Sequence, residues 1–126
     1  SKLINDGVLS QMDMGTLLDY CAIQLNGEKA GGKEAVININ FTDTKEKVML
    51  MLKNGVLNHR LGSQDKKADL TMEIAKMDFV KLFFGRTDLQ TLRKTNKVKT
   101  TGDTKAIDMI RSACEPADPN FKIVLP

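Results

Sequence analysis

The hydrophobic residues of this chain change their spacing several times, and each change marks an element. Met14, Leu17, Leu18, Cys21, Ala22 and Leu25 recur at three- and four-residue intervals, which predicts a helix over residues 13–25 with one apolar stripe. Gly27, just beyond it, suits a left-handed helix cap, and Gly31 and Gly32 read as a flexible connection. From Ala35 the period becomes two. Ile37, Ile39 and Phe41 alternate with Asn38 and Asn40, the pattern of a strand with one buried and one polar face. After a turn at 42–45, residues 47–53 read as a second strand, whose unbroken Val48-Met49-Leu50-Met51-Leu52 run predicts cover on both faces. Asn54-Gly55 is a strong hairpin signal, because both residues tolerate the positive φ of a type I′ turn, and residues 56–61 return as a third strand.

Residues 62–67 form a polar crossing loop, after which Leu70, Met72 and Ile74 alternate with Thr71 and Glu73 in a fourth strand over 69–74. The pattern then turns helical. Met77, Val80 and Phe84 fall on one line and Phe79, Leu82 and Phe83 on the next, so 77–84 is apolar all round, with Gly85 as its stop. Thr87 is positioned to cap a short helix reaching residue 94, and 97–101 reads as a brief fifth strand. Asp103 stands at the N-cap of a last helix with an inward stripe of Ala106, Ile107, Ile110, Ala113 and Cys114, closed by Pro116. The stretch 121–126 is apolar enough to pack back on the domain or to join an interface. This order predicts an α+β fold: a five-stranded mixed sheet, made of a three-strand antiparallel meander plus two later strands, with helices packed on one face.

Length and composition fit that reading. A chain of 126 residues with 41% hydrophobic and 28% charged residues suits one domain over 1–126 with an ordinary core, and it needs no disulfide or metal staple. No apolar run approaches the roughly 20 residues of a membrane-spanning helix. The start at Ser1 lacks the features of a signal peptide, and a piece of a longer protein is the expectation. Cys21 and Cys114 each fall on an apolar helix stripe, so they read as buried free thiols, and they fix no redox compartment. The localisation is left open between cytoplasmic and exported. The net charge of +3 is concentrated on one flank, where Arg86, Arg93, Lys94, Lys97, Lys99 and Lys105 are opposed locally only by Asp88 and Asp103.

The candidate chemistry is thin. Gly27 to Lys33 has the glycine and lysine spacing of a phosphate loop, but Glu34 stands where a Ser or Thr should bind magnesium, and the segment runs from helix to strand instead of strand to helix. Zinc needs at least three protein donors, and His59 is the single histidine, so no metal or cofactor is expected. Ser10, Ser63 and Ser112 lack a nucleophile elbow, which leaves no catalytic residue to name. The basic flank lacks the exposed aromatics on which single-stranded nucleic acid stacks, so nucleic acid is not an expected partner. What stands out is a pliant interior, with Met49, Met51, Met72, Met77 and Met109 on elements that should line it. Methionine can fill a core, or reshape around ligands of varied form, and the 79–84 helix would serve as a lid.

Three stretches carry a family resemblance. Lys53-Asn54-Gly55-Val56-Leu57-Asn58-His59-Arg60 resembles the second hairpin of the C-terminal domain of bacterial alkyl sulfatases. Ala68-Asp69-Leu70-Thr71-Met72-Glu73-Ile74, with the apolar helix and Gly85 after it, is similar to that domain's fourth strand and following helix. Val98-Lys99-Thr100-Thr101-Gly102-Asp103 resembles the short strand, Gly-Asp pair and final helix found across the sterol carrier protein type 2 family. The resemblance implies a sterol carrier protein-like fold whose sheet and helices enclose an apolar tunnel for a lipid, fatty acyl or alkyl tail. It further implies a module serving the metallo-β-lactamase-like catalytic domain of a longer hydrolase, with no catalysis of its own. The family hands over no fixed set of ligand contacts, so the candidate residues come from the pattern: Leu50, Met72, Phe79, Phe83, Ile107 and Ile110 face the cavity, and Lys97 and Lys99 meet an anionic head group. The alternative is a structural dimerisation or docking domain with a filled core.

Overall fold

The computed structural model describes residues 3–4, 6–115 and 123–124. In chain order its first elements are β1 (Leu3–Ile4), α1 (Asp6–Gln11), α2 (Met14–Ile23), α3 (Gly27–Ala30), β2 (Ala35–Phe41), β3 (Lys47–Lys53) and β4 (Val56–Leu61). Then follow β5 (Leu70–Ile74), α4 (Lys76–Phe83), α5 (Leu89–Lys94), β6 (Val98–Gly102), α6 (Lys105–Ser112) and β7 (Ile123–Val124). β1 and β7 pair antiparallel as a small sheet of their own. Of the stretch 121–126, only that pairing lies within the described residues.

The five remaining strands form one mixed sheet in the order β4-β3-β2-β5-β6. β2, β3 and β4 are the expected antiparallel meander, and the β3–β4 turn places Asn54 at φ 54° and Gly55 at φ 73°, both in the left-handed region that a type I′ turn requires. The chain then crosses back over the sheet so that β5 lies parallel to β2, and β6 returns antiparallel to β5. Side chains alternate across the pleat. Ile37, Ile39, Val48, Leu50, Leu52, Leu57, Leu70, Met72 and Ile74 share one face and are buried under the helices, with α2 lying along β4 and α6 across β2. The expected layering is therefore what the structure has.

The second face of β2 is not simply polar. Asn38 is buried there because it clamps the crossing loop: its Nδ2 donates to the Asp65 carbonyl at 2.7 Å, and the Asp65 amide donates to its Oδ1 at 3.0 Å. Gln64 Nε2 donates to Asn40 Oδ1 at 3.0 Å beside it. A short polar side chain, able to donate and accept at once, thus replaces two missing backbone partners of the loop. The loop ends at Asp69, which is tied three ways. The Val36 amide donates to its Oδ2 at 2.7 Å, its own amide donates to the Val36 carbonyl at 2.9 Å, and its carbonyl accepts from the Asp103 amide at 2.8 Å.

The structure corrects several local expectations. Gly27 does not cap the preceding helix. That helix ends at Gln24, and Gly27 opens α3, whose N-terminus is capped by Asn26 Oδ1, while Gly31 takes the positive φ of 54°. The reason is tertiary: Gly27 packs against Gly55 of the β3–β4 turn, where a Cβ on Gly55 would stand 3.4 Å from Gly27 Cα. Asp88, not Thr87, caps α5, its carboxylate accepting from the Thr91 amide at 2.7 Å. The cap position of α6 is Thr104, one residue beyond Asp103, although Asp103 Oδ1 still accepts from the Lys105 amide at 2.9 Å. α6 ends at Ser112, short of Pro116, which lies outside the described residues. Lys76, which opens α4 just before the segment read as apolar, is buried, and its ammonium donates to the carbonyls of Ser10 (3.1 Å) and Met12 at the end of α1. It satisfies acceptors that a helix end leaves free.

Gly102 is where the backbone leaves no room. It sits at φ 104°, and a Cβ there would stand 2.4 Å from the Asp69 carbonyl oxygen. Gly102→Ala is expected to destabilise the fold by about 1–3 kcal/mol, the order of a strained backbone position. Gly32→Ala, with open space at its Cβ and no positive φ, should change stability by under about 0.5 kcal/mol. Urea unfolding of the two variants beside the parent chain checks the contrast.

Candidate functional site

The candidate interior lies between the buried sheet face and the helices. Leu50 reaches it from β3, Met72 from β5, Phe79 and Phe83 from α4, and Ile107 and Ile110 from α6, and all six join one continuous apolar cluster. α4 supplies an aromatic line, because residues three and four apart share a helix face. Phe79 meets Phe41 edge-on with ring centroids 5.7 Å apart, Phe83 follows at 6.0 Å, and Phe84 meets Phe83 at 5.3 Å. Sequence reasoning missed Phe41 and Phe84 as members of this line. The signal for Phe41 was present, since it follows Ile37 and Ile39 at period two.

None of the six candidate residues exposes more than 4% of its surface. Met72, Phe79, Ile107 and Ile110 have no accessible area, so they touch neither solvent nor a void that admits a water, while Leu50 and Phe83 expose 1% and 4%. The interior around those four side chains is therefore filled, and α4 forms part of the core instead of standing off it.

Lys97 and Lys99 lie elsewhere. They flank Val98 at the start of β6, and strand alternation turns Val98 into the core while the lysines face out. Together with Thr42, Glu73, Ala75, Asp78 and Asn96 they line an open cleft of about 320 Å³, at the end of the sheet where α4 begins. Val98 lines this cleft as well as joining the apolar cluster, so cleft and interior adjoin at the start of β6. The cleft carries both signs of charge, two lysines and two carboxylates. Charge is also matched on the basic flank nearby. Hydrogen bonds from Thr91 hold the Asp88 carboxyl below its ordinary range, and Arg111 and Lys94 beside it act in the same direction. Arg93 donates to Thr100 Oγ1 at 2.7 Å, which fastens α5 to β6.

The other titratable groups do not converge. His59 Nδ1 on β4 stands 3.9 Å from Asp19 Oδ1 on α2. Among the described residues, no group of three or more His, Cys, Asp or Glu side chains is placed to hold a metal ion, and no helix is long and apolar enough to cross a membrane.

Comparison with known proteins sharpens this picture. The family model of the alkyl sulfatase C-terminal region matches residues 2–126. The chain is 32% identical over 115 residues to a linear primary-alkylsulfatase of a Pseudomonas species, an alignment covering 91% of this chain and 17% of that protein. It is 36% identical over 108 residues to an (R)-specific secondary-alkylsulfatase, also from Pseudomonas, covering 86% and 16%. Among solved structures, the stereoselective inverting sec-alkylsulfatase from Pseudomonas superposes with a TM-score of 0.80 at 32% identity, over 90% of this chain and 18% of that one. The apo sterol carrier protein 2 of Yarrowia lipolytica matches with a TM-score of 0.52 at 19% identity, over 82% and 96%. Palmitated SCP2L2 from Aedes aegypti matches at 0.56 and 17%, over 79% and 95%. The last two show a sterol carrier protein-like fold. The chain spans about a sixth of the length of the alkylsulfatases it matches.

The two thiols complete the inventory of reactive groups. Cys21 and Cys114 are both free and buried, at the junction where the Asn26 amide donates to the Ala113 carbonyl and the Glu115 amide to that of Gln24. Burial pushes the Cys21 thiol well above its usual range, and the nearby Cys114 adds to the effect. Burial likewise pushes Cys114 up to about 11, against a smaller opposing pull from Arg111. A protonated, enclosed thiol is a poor nucleophile. Below the ordinary thiol value of 9.0 both thiols stay protonated folded or unfolded. Above it the unfolded chain loses protons that the folded chain retains, so stability falls as pH rises through about 11. Neither thiol of the folded chain should react with Ellman's reagent at neutral pH, while both react after denaturation. Urea midpoints should drop above the ordinary thiol value, with a shallower slope in Cys21→Ala.

Proposed function

The chain belongs to the alkyl sulfatase C-terminal family, and on that premise we propose that it is a non-catalytic accessory module. It takes up the apolar tail of an alkyl-chain ligand, such as a lipid, a fatty acid or an alkyl sulfate, for the metallo-β-lactamase-like catalytic domain of a longer hydrolase. One observation carries the reading: four separate elements send Leu50, Met72, Phe79, Phe83, Ile107 and Ile110 into a single apolar cluster. One of the proteins sharing the fold is described as palmitated, which supports an acyl-sized guest for this architecture. The tail would lie among the six side chains. Its head group would sit in the adjoining cleft against Lys97 and Lys99, with Glu73 and Asp78 limiting how much negative charge the cleft accepts.

The filled interior favours a second reading, a structural docking module whose own side chains occupy the space. Chain-length dependence separates the two. Native mass spectrometry of the purified chain should release bound lipid. Alkyl sulfates and fatty acids of increasing length should raise the unfolding midpoint progressively, by roughly 10 °C at a hundredfold excess over Kd. Lys97→Ala combined with Lys99→Ala should reduce the rise for an alkyl sulfate but not for the alcohol of equal length. No released lipid and no shift at any length would transfer the assignment to the docking module.

A further inference from the structure

The two edges of the sheet are treated differently. At the β6 edge stand Lys97, Lys99 and, on the adjoining α5, Arg93 and Lys94, the kind of charge that keeps an edge strand from pairing. At the β4 edge such charge is thinner, Arg60 being the one lysine or arginine of the strand. The large hydrophobic residues that stay exposed among the described residues are Ile23 at 63%, Val56 at 50% and Leu61 at 52%, and all three belong to β4 or to the helix beside it.

The backbone of this edge is also open. A two-residue turn makes Lys53 and Val56 a hydrogen-bonded pair, so Asn58 and Arg60 turn their amides and carbonyls inward to β3 as well. Leu57, His59 and Leu61 must then turn theirs outward, where no described strand lies. α2 runs alongside in matching register. A Cβ on Gly15 would stand 3.7 Å from Leu61 Cδ1, and Asp19 faces His59 at 3.9 Å. Four residues of helix rise about 6 Å and two residues of strand about 6.6 Å, so the next step along the helix brings Ile23 level with Leu57.

We propose that the β4 edge and the Gly15-Asp19-Ile23 face of α2 form an interface for a second copy of this chain, the two β4 strands pairing antiparallel about a two-fold axis at His59. The strand is complementary to itself in that register. Leu57 faces Leu61 of the partner and Leu61 faces the partner's Leu57, each pair exchanging two backbone hydrogen bonds, as does His59 with its own copy. Exposed Leu61 thereby lands beside exposed Ile23 of the partner, so the two cover each other. Charge agrees: Arg60 faces Asn58 of the partner and not another cation, and two Asp19 carboxylates flank the central imidazole pair. This assignment concerns a different face from the candidate ligand interior and stands or falls without it.

Sedimentation velocity from low to high micromolar concentration should show a shift from the 14.0 kDa protomer mass to twice that value. Hydrogen exchange should slow with concentration at the amides of Leu57, His59 and Leu61 in particular. Leu61→Lys and Ile23→Lys alter exposed side chains, so at the lowest concentration, where the parent is monomeric, they should keep its unfolding midpoint, while raising the dimer dissociation constant at least tenfold. A chain that stays monomeric over the whole range overturns the proposal, including the case in which the edge is reserved for a strand of a longer parent protein. A dimer that survives both lysine substitutions, or that protects other amides, overturns it too.

Discussion

The fold depends most on the junction at Asp69. A parallel pair of strands cannot be joined by a tight turn, so the return of the chain to the far side of β2 must be enforced by contacts formed after a long crossing. Asp69 supplies them at one point, bonding to Val36 through its carboxylate and its amide, and to Asp103 through its carbonyl. That carbonyl can be reached because Gly102 carries no side chain. Two of the stretches that carry the family resemblance, Ala68-Asp69-Leu70 and Thr101-Gly102-Asp103, therefore meet as the two halves of one backbone junction. The third, around Asn54-Gly55, meets Gly27 in a similar close approach. At these positions this chain closes its sheet and seats its hairpin turn.

Once β5 is locked beside β2, the rest follows from layering. β6 and α6 are carried into place, and Ile107 and Ile110 fall against β2, opposite the aromatic line of α4. The interior so formed is closely packed, with Met72, Phe79, Ile107 and Ile110 fully buried in it. The outer face carries no comparable core, and Asn38 and Gln64 use it to hold the crossing loop. One pleated strand thus serves the core with its odd-numbered residues and the loop with its even-numbered ones.

The charges take their meaning from the same sheet. The basic flank of the sequence resolves into separate local arrangements: Arg93 ties α5 to β6, Asp88 lies near Lys94 and Arg111, and Lys97 and Lys99 share a cleft with Glu73 and Asp78. A run of lysines and arginines along the chain becomes a mixed surface, because neighbouring strands and helices interleave carboxylates that are distant in sequence. The same folding collects Ile23, Val56 and Leu61, which look unrelated in the sequence, onto one exposed edge.

Much of this was legible without coordinates. Period-two runs marked β2 and β5, an unbroken apolar run marked β3, and Asn54-Gly55 placed the return strand β4; strand and helix patterns together named the six interior candidates, because the periodicity of buried side chains is a local pattern. α1 and α3 were not legible, being too short to complete an apolar period, nor was the burial of Lys76, whose partners are carbonyls 64 and 66 residues away. Gly27 was misread for the same reason: a glycine after a helix signals a cap by default, and only the approach of Gly55 shows that it is needed for contact. The sequence by itself determined the five strands of the main sheet, the longer helices, their buried faces and the family resemblance. The tertiary structure alone decided the strand order, the parallel β2–β5 pairing, the filling of the interior and the exposure of the β4 edge, since each depends on atoms that come together only after distant segments have met.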